Sequence, residues 1–259
     1  MLWVILRGSL GRILILGLLF FTEWLPAYVQ SSEHVVSAPK KEKTVSHDTI
    51  INLGEDCQVA FQLTKHGLRN YALPFDALIT SYEALYAILA NKFEGFMAPD
   101  NFVFQVNEKN EKYILDKKYG IKLIHDFKLN EHFLSDYEEI ASKYERRIAR
   151  LFEQISAAEY PLFIRKRITK EQAIELRTLL HTMRNGKPFL LVVLNDNKDG
   201  ASLEHWNFES VCNFHLKQPD PYFWEGDTQA WKEIFIALGL SVAEKETEKV
   251  VADSIQSAA

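Results

Sequence analysis

Apolar and polar positions along this chain switch repeatedly between a strand-like and a helix-like pattern. Thr49–Leu53 is a short apolar run followed by Gly54, and residues 57–66 carry a helical period closed by Gly67. Tyr71–Leu78 predicts a short strand broken by Pro74, Tyr82–Ala90 a helix, and Ile121–Phe127 a strand. Residues 136–157 place Tyr137, Ile140, Tyr144, Ile148, Leu151 and Ile155 at helical spacing, which predicts one long amphipathic helix. Leu162–Arg165 follows Pro161 as a strand. Thr169, with Glu171 and Gln172 in the first turn, caps a helix to Met183 that Asn185-Gly186 ends, and Phe189–Leu194 reads as a buried strand. Strands alternating with helices of this length predict an α/β fold, a single domain with a mostly parallel central sheet flanked by helices. No internal repeat is visible.

The first residues follow a different pattern. Arg7 and Arg12 precede an unbroken apolar run at positions 13–21, which Glu23 and Pro26 interrupt. A basic segment followed by a short apolar one is the layout of a secretory signal, and the run falls well short of the roughly 20 residues a spanning helix needs. The expected organisation is a signal peptide or N-terminal anchor over 1–31, a polar linker over 32–47, an α/β domain over 48–240 and a polar tail over 241–259. The chain is therefore expected to be exported, to the periplasm or beyond, or held at a membrane by its N-terminal segment.

Composition narrows the function classes. With 47% hydrophobic and 12% aromatic residues in 259, the body has enough apolar surface to bury a substantial core. A formal net charge of −5 argues against nucleic acid as a partner, because nucleic-acid binders carry a basic excess. The chain has neither a phosphate loop of the G-x-x-x-x-G-K type nor a G-x-G-x-x-G fingerprint, and no His/Cys cluster at zinc-ligand spacing. No cofactor or metal is expected. There are two cysteines, Cys57 and Cys212, which an oxidising compartment would allow to pair.

Cys57 stands where the first apolar run gives way to a helix. A thiol there meets outward-pointing backbone N–H groups and the positive end of the helix dipole, which favour thiolate. Glu55 and Asp56 push the other way. The surrounding segments, Asn52-Leu53-Gly54-Glu55-Asp56-Cys57-Gln58-Val59-Ala60, His66-Gly67-Leu68-Arg69 and Leu73-Pro74-Phe75-Asp76-Ala77-Leu78-Ile79, followed by Ile124-His125-Asp126-Phe127 and Tyr144-Glu145-Arg146-Arg147-Ile148, resemble an uncharacterised bacterial family labelled “putative papain-like cysteine peptidase”. The resemblance covers roughly residues 48 to 200. It implies a Cys57 nucleophile with His125 as its base, and a peptide or amide substrate. Unlike papain, the chain has no glutamine shortly before Cys57 and no aromatic residue directly after it.

A cysteine hydrolase needs an imidazole near the thiol and a group to orient that imidazole. His66, at the far end of the Cys57 helix, falls on the opposite face roughly 13 Å along it. His125 ends a predicted strand, where active-site groups of open α/β sheets gather. His205 and His215 are weaker candidates in an aromatic-rich segment. Asp76 is the preferred orienting group, ahead of Asp126, whose side chain should leave the opposite strand face, and of Asn195 and Asp196. Arg165, closing an apolar strand, is a candidate clamp for a carboxylate or phosphate, whereas Arg146, Arg147 and Arg150 read as a solvated helix face. Two functions follow: a cysteine-dependent hydrolase acting on a peptide or amide, or a non-catalytic or transferase-like α/β domain that binds an anionic sugar or nucleotide ligand through Arg165.

Overall fold

The computed structural model describes residues 47–130, 132–197, 202–218 and 223–242. The expected signal or anchor, nearly all of the linker and most of the tail lie outside the described residues. Five strands form the central sheet: β1 (Ile50–Asn52), β6 (Leu162–Lys166), β7 (Leu190–Asn197), β9 (Val211–Lys217) and β8 (Ser202–Glu204), in that spatial order. β1, β6, β7 and β9 run parallel, and β8 closes one edge antiparallel to β9. The α/β fold with a mostly parallel sheet is as expected.

Both faces of this sheet are covered, which is why its strands read as continuous apolar runs. Along β6, Leu162 and Ile164 face one side and Phe163 the other. β7 repeats the alternation with Val192 and Leu194 opposite Leu191 and Val193. On the first side lie α1 (Gln58–Lys65), with Val59 and Leu63, and α5 (Thr228–Ala237), with Trp231, Ile234 and Phe235. On the second side lie α2 (Tyr82–Ala90), α3 (Tyr137–Ala157) and α4 (Lys170–Met183). Thr169 caps α4 by accepting from Gln172 N, and Gln172 returns the bond to Thr169 N.

The alternation of strand and helix did not foresee a second sheet. β2 (Leu78–Ile79), β5 (Ile121–Leu123), β4 (Lys112–Asp116) and β3 (Phe102–Val106) pair antiparallel in that order. Leu78, Phe102, Ile114, Ile121 and Leu123 of this sheet share one core with α2, α3 and α4. Two expected strands change shape. Pro74–Ala77 is a turn of 3-10 helix rather than strand, with proline in its first turn where its missing N–H costs nothing. The strand expected through Phe127 ends at Leu123, and residues 124–127 bend toward α3 because Asp126 bonds both Tyr144 Oη (2.5 Å) and Lys143 there.

Candidate active site

The loop from β1 into α1 is fixed by polar bonds before Cys57 is reached. Asn52 Oδ1 accepts from Gly54 N (2.9 Å), and Glu55 O accepts from Thr80 N (2.8 Å) just past β2. Gly54 has φ +86°, and a Cβ there would stand 2.8 Å from Thr80 Oγ1 and 2.9 Å from Arg165 Nη1. Only glycine fits so close an approach in that conformation. Asp56 Oδ1 accepts from Gln58 N (2.9 Å), so the first amide of the helix is already partnered and is not free to hold an oxyanion. Cys57, half-buried, sits at the N-cap of α1.

Cys57 and His125 line one open cavity of about 260 Å³, together with Arg69, Asp76, Arg147, Phe61 and Trp224. His125 reaches it from the exposed bend after β5. All three residues expected to carry catalysis, Cys57, His125 and Asp76, thus border the same space. Their bonding differs from the expected triad. Among the described residues no hydrogen bond joins the Cys57 thiol or the His125 imidazole to another side chain. Buried Asp76 gives its oxygens to Arg69 Nη2 (2.6 Å), Arg69 Nε (3.1 Å), Leu73 N (2.8 Å) and Asn52 Nδ2 (3.1 Å). Asp76 therefore organises the wall through Arg69 and does not orient the imidazole. Asp126 holds the His125 bend against α3 by its bonds to Lys143 and Tyr144.

The field at the thiol is set by competing charges. Burial, first, and the carboxylate of Asp56, second, push the Cys57 thiol above its ordinary range, and its own backbone N–H and then Lys166 offset them only in part. The contest between helix start and acidic neighbours goes to burial and the neighbours. Lys166 itself is buried, with Nζ bonded to Gln58 Oε1 (2.5 Å) and 3.5 Å from Asp56 Oδ2, and burial lowers its pKa. Arg167 pairs with Glu55 (2.9 Å), Asp56 (3.1 Å) and Asp196 (2.6 Å), locking the loop before Cys57 to the ends of β6 and β7.

Arg165 is not among the residues lining this cavity. It is buried, and its guanidinium is committed to Leu53 O (2.8 Å), Thr80 Oγ1 (3.0 Å) and Thr80 O (2.8 Å). The expectation of a ligand clamp fails at this position because those donors are spent on backbone and a hydroxyl. The cations on the cavity are Arg69 and Arg147. Arg147, expected on a solvated face, lies on the buried stripe of α3, spaced four, three and four residues along Ile140, Tyr144, Arg147 and Leu151. That spacing is the signal that could have singled it out. Trp224 gives no comparable sequence signal. It is brought to the cavity by Gln58 Nε2 and Gln62 Nε2, which donate to the carbonyls of Trp224 and Glu225 (both 2.7 Å), and its ring meets Phe61 edge-on at 5.0 Å.

The remaining candidates lie elsewhere. His66 is buried, bonded through Nδ1 to Gln62 O (2.8 Å) and packed on Phe235. His215 faces Glu204 at 3.3 Å on the far edge of the central sheet. Cys212 is level with Asn52 in the sheet register but three strands away, a separation of roughly 14 Å. Both cysteines are free, so Cys57 and Cys212 are not bridged in this structure. A larger cavity, about 610 Å³, lies among α2, α3 and α4, but Lys92 is its only ionisable lining residue.

Comparison with known proteins adds a family. The model of a family described as “Putative papain-like cysteine peptidase (DUF1796)” matches residues 48–195. “Uncharacterized protein R408” of Acanthamoeba polyphaga mimivirus is 28% identical over 226 residues, covering 74% of this chain and 99% of that protein. This relative is viral, so the expected bacterial setting finds no support in it. No solved structure matches the chain.

Proposed function

We propose that this chain, which belongs to the putative papain-like cysteine peptidase family, is a cysteine-dependent hydrolase of peptide or amide bonds, with Cys57 as nucleophile and His125 as general base. The observation that supports it is the shared cavity: the side chains of Cys57 and His125, from two different sheets, border the same space. Because the thiol is held above its ordinary range, the reading starts from a neutral thiol rather than a standing thiolate–imidazolium pair. His125 takes the Cys57 proton as Sγ attacks the carbonyl carbon, and the imidazolium returns it to the leaving amine as the C–N bond breaks. Water then attacks the thioester with the same imidazole as base, releasing the acid and restoring the thiol. Export directed by residues 13–21 completes the proposal and places the substrate outside the cytoplasm.

The test is hydrolysis of a mixed peptide pool by the chain and by Cys57→Ala and His125→Ala variants, with cleavage read by mass spectrometry. The reading expects cleavage that both substitutions abolish. Cleavage unaffected by Cys57→Ala contradicts it.

One observation favours the second reading, a non-catalytic module for an anionic ligand: the thiol is raised and unpaired with His125. Iodoacetamide separates the two. A nucleophile is alkylated at Cys57 ahead of Cys212 in the folded chain, with a rate that drops in His125→Ala. A structural thiol shows neither property.

A further inference from the structure

Two guanidinium groups line the Cys57 cavity, and only one of them is neutralised. Arg69 pairs with Asp76 at 2.6 Å. Arg147 has no carboxylate partner among the described residues, and its cation faces only the ring of Tyr144, 5.3 Å from the centroid. Its Nη1 is shut off from solvent and makes no hydrogen bond. A buried N–H without an acceptor costs about 1–3 kcal/mol, and the Nη2 and Nε donors of Arg147, which are not buried and have no hydrogen-bond partner among the described residues, are the ones an acceptor in the cavity can reach. The charged groups of the lining, Arg69, Arg147 and Asp76, leave one positive charge unbalanced. Around them stand the apolar or aromatic walls of Ala60, Phe61, Ala77 and Trp224.

We infer that Arg147 receives a carboxylate of the substrate, so that the chain acts on acyl compounds carrying an anionic group beside the scissile bond. The planar fork of arginine matches a carboxylate in two parallel N–H···O bonds. At about 260 Å³ the cavity falls below the roughly 300 Å³ at which sites for small molecules begin. It holds about one residue, so the carboxylate and the bond that Cys57 attacks belong to the same residue or to adjacent ones. That carboxylate is either the free C-terminus of a short peptide or an acidic side chain next to the cleavage point. The hydrolase reading supplies the identity of the bond, whereas the anion subsite stands on Arg147 and is testable without any reaction at Cys57.

The test measures thermal unfolding of the full chain carrying Cys57→Ser, which removes turnover and alkylation from the outcome. The probes are N-benzoylglycine, with a free α-carboxylate, its uncharged amide N-benzoylglycinamide, and the α-amide of N-acetylaspartate, with a side-chain carboxylate only. At about ten times its dissociation constant a carboxylate probe raises the midpoint by about 3 °C, and the uncharged amide does not. Compared at one common concentration, the carboxylate that gives the larger rise identifies the source of the anion. Arg147→Gln in the same background abolishes the rise, whereas Arg146→Gln, one position away and bonded to Ser142, retains it. Equal responses to charged and uncharged probes, or no response to either carboxylate, overturn the inference even if Arg147→Gln fails to fold. Loss of peptide cleavage in Cys57→Ala together with an unmoved midpoint keeps the hydrolase and removes the subsite; the reverse pair of results keeps the subsite and removes the hydrolase.

Discussion

Arg165 donates from its buried guanidinium to the Thr80 carbonyl at 2.8 Å while bonding Leu53 O at the same distance. Leu53 follows β1 on the way to Cys57. Thr80 follows β2, the neighbour of β5, which leads to His125. One side chain therefore ties the nucleophile loop of the parallel sheet to the antiparallel sheet that carries the base. Burial pushes its pKa down to about 10, still far enough above neutrality to keep it charged.

Arg165→Met is expected to cost about 3 kcal/mol, since it strands two buried carbonyls, and to reduce cleavage by loosening Cys57 against His125. Arg165→Lys recovers little, because a single ammonium cannot span both carbonyls. Urea unfolding gives the stability term, and the cleavage rate of the residual folded protein gives the positioning term. A stable Arg165→Met variant with normal cleavage would remove this strut from the account.

The Cys57 thiol titrates high, so its alkylation rate should climb with pH through and beyond the ordinary thiol range. At any given neutral pH a raised pKa means a smaller thiolate fraction and a slower reaction. Asp56→Asn removes the second of the two raising causes, so the rate–pH curve should move to lower pH. It should remain above the ordinary position, because burial, the larger cause, persists. Asparagine can still accept from Gln58 N, which keeps the helix start intact. A curve unmoved by the substitution would mean that Asp56 does not govern the thiol.

Trp224 is 53% exposed and contributes its ring to the cavity while its carbonyl, not its side chain, anchors the segment to Gln58. Trp224→Ala should therefore leave stability within about 1 kcal/mol of the parent and act chiefly on substrate binding, raising KM more than it lowers kcat. Equal losses in KM and stability would show that the indole holds the fold rather than the substrate.

The first described residues, His47 and Asp48, are tied down. His47 stacks on Tyr160 at 5.0 Å, and Asp48 accepts from the amides of Glu159 (2.6 Å) and Tyr160 (3.0 Å) ahead of β6. A chain starting at residue 45 should keep these contacts, remain soluble and melt in one transition close to that of the longer chain. One starting at residue 50 should melt lower. Aggregation of the first while the full chain stays soluble would place residues 13–21 in the core and overturn the export reading.

The parts of the fold legible from sequence are those with one dominant period. β6 and β7 are buried on both faces, so Leu162–Ile164 and Leu191–Leu194 show as unbroken apolar runs, and α3 shows as a stripe from Tyr137 to Ile155. The antiparallel sheet was not legible because its strands are two to five residues long and half-exposed, with too few positions to establish a period. Within the site, Cys57, His125 and Asp76 were legible as residue types at element ends, and all three reach the cavity. Their pairing was not legible, since whether Asp76 meets an imidazole or a guanidinium depends on the path of the chain between residues 66 and 76. Nothing in the sequence shows that Arg165, at a strand end, is walled in by carbonyls, whereas the place of Arg147 on the apolar stripe of α3 does mark it as facing inward.

The central claim is that Cys57 attacks with His125 as its base, and acylation by p-nitrophenyl acetate tests it most directly. Nitrophenolate release is followed by absorbance, and the acyl group is located by peptide mass mapping. The account predicts one acetyl group on Cys57, continued turnover, no adduct at that position in Cys57→Ala, and acylation slowed by about 10²–10⁴ in His125→Ala. Acylation elsewhere in the chain with Cys57 untouched, or a His125→Ala variant that acylates at the parent rate, would contradict it.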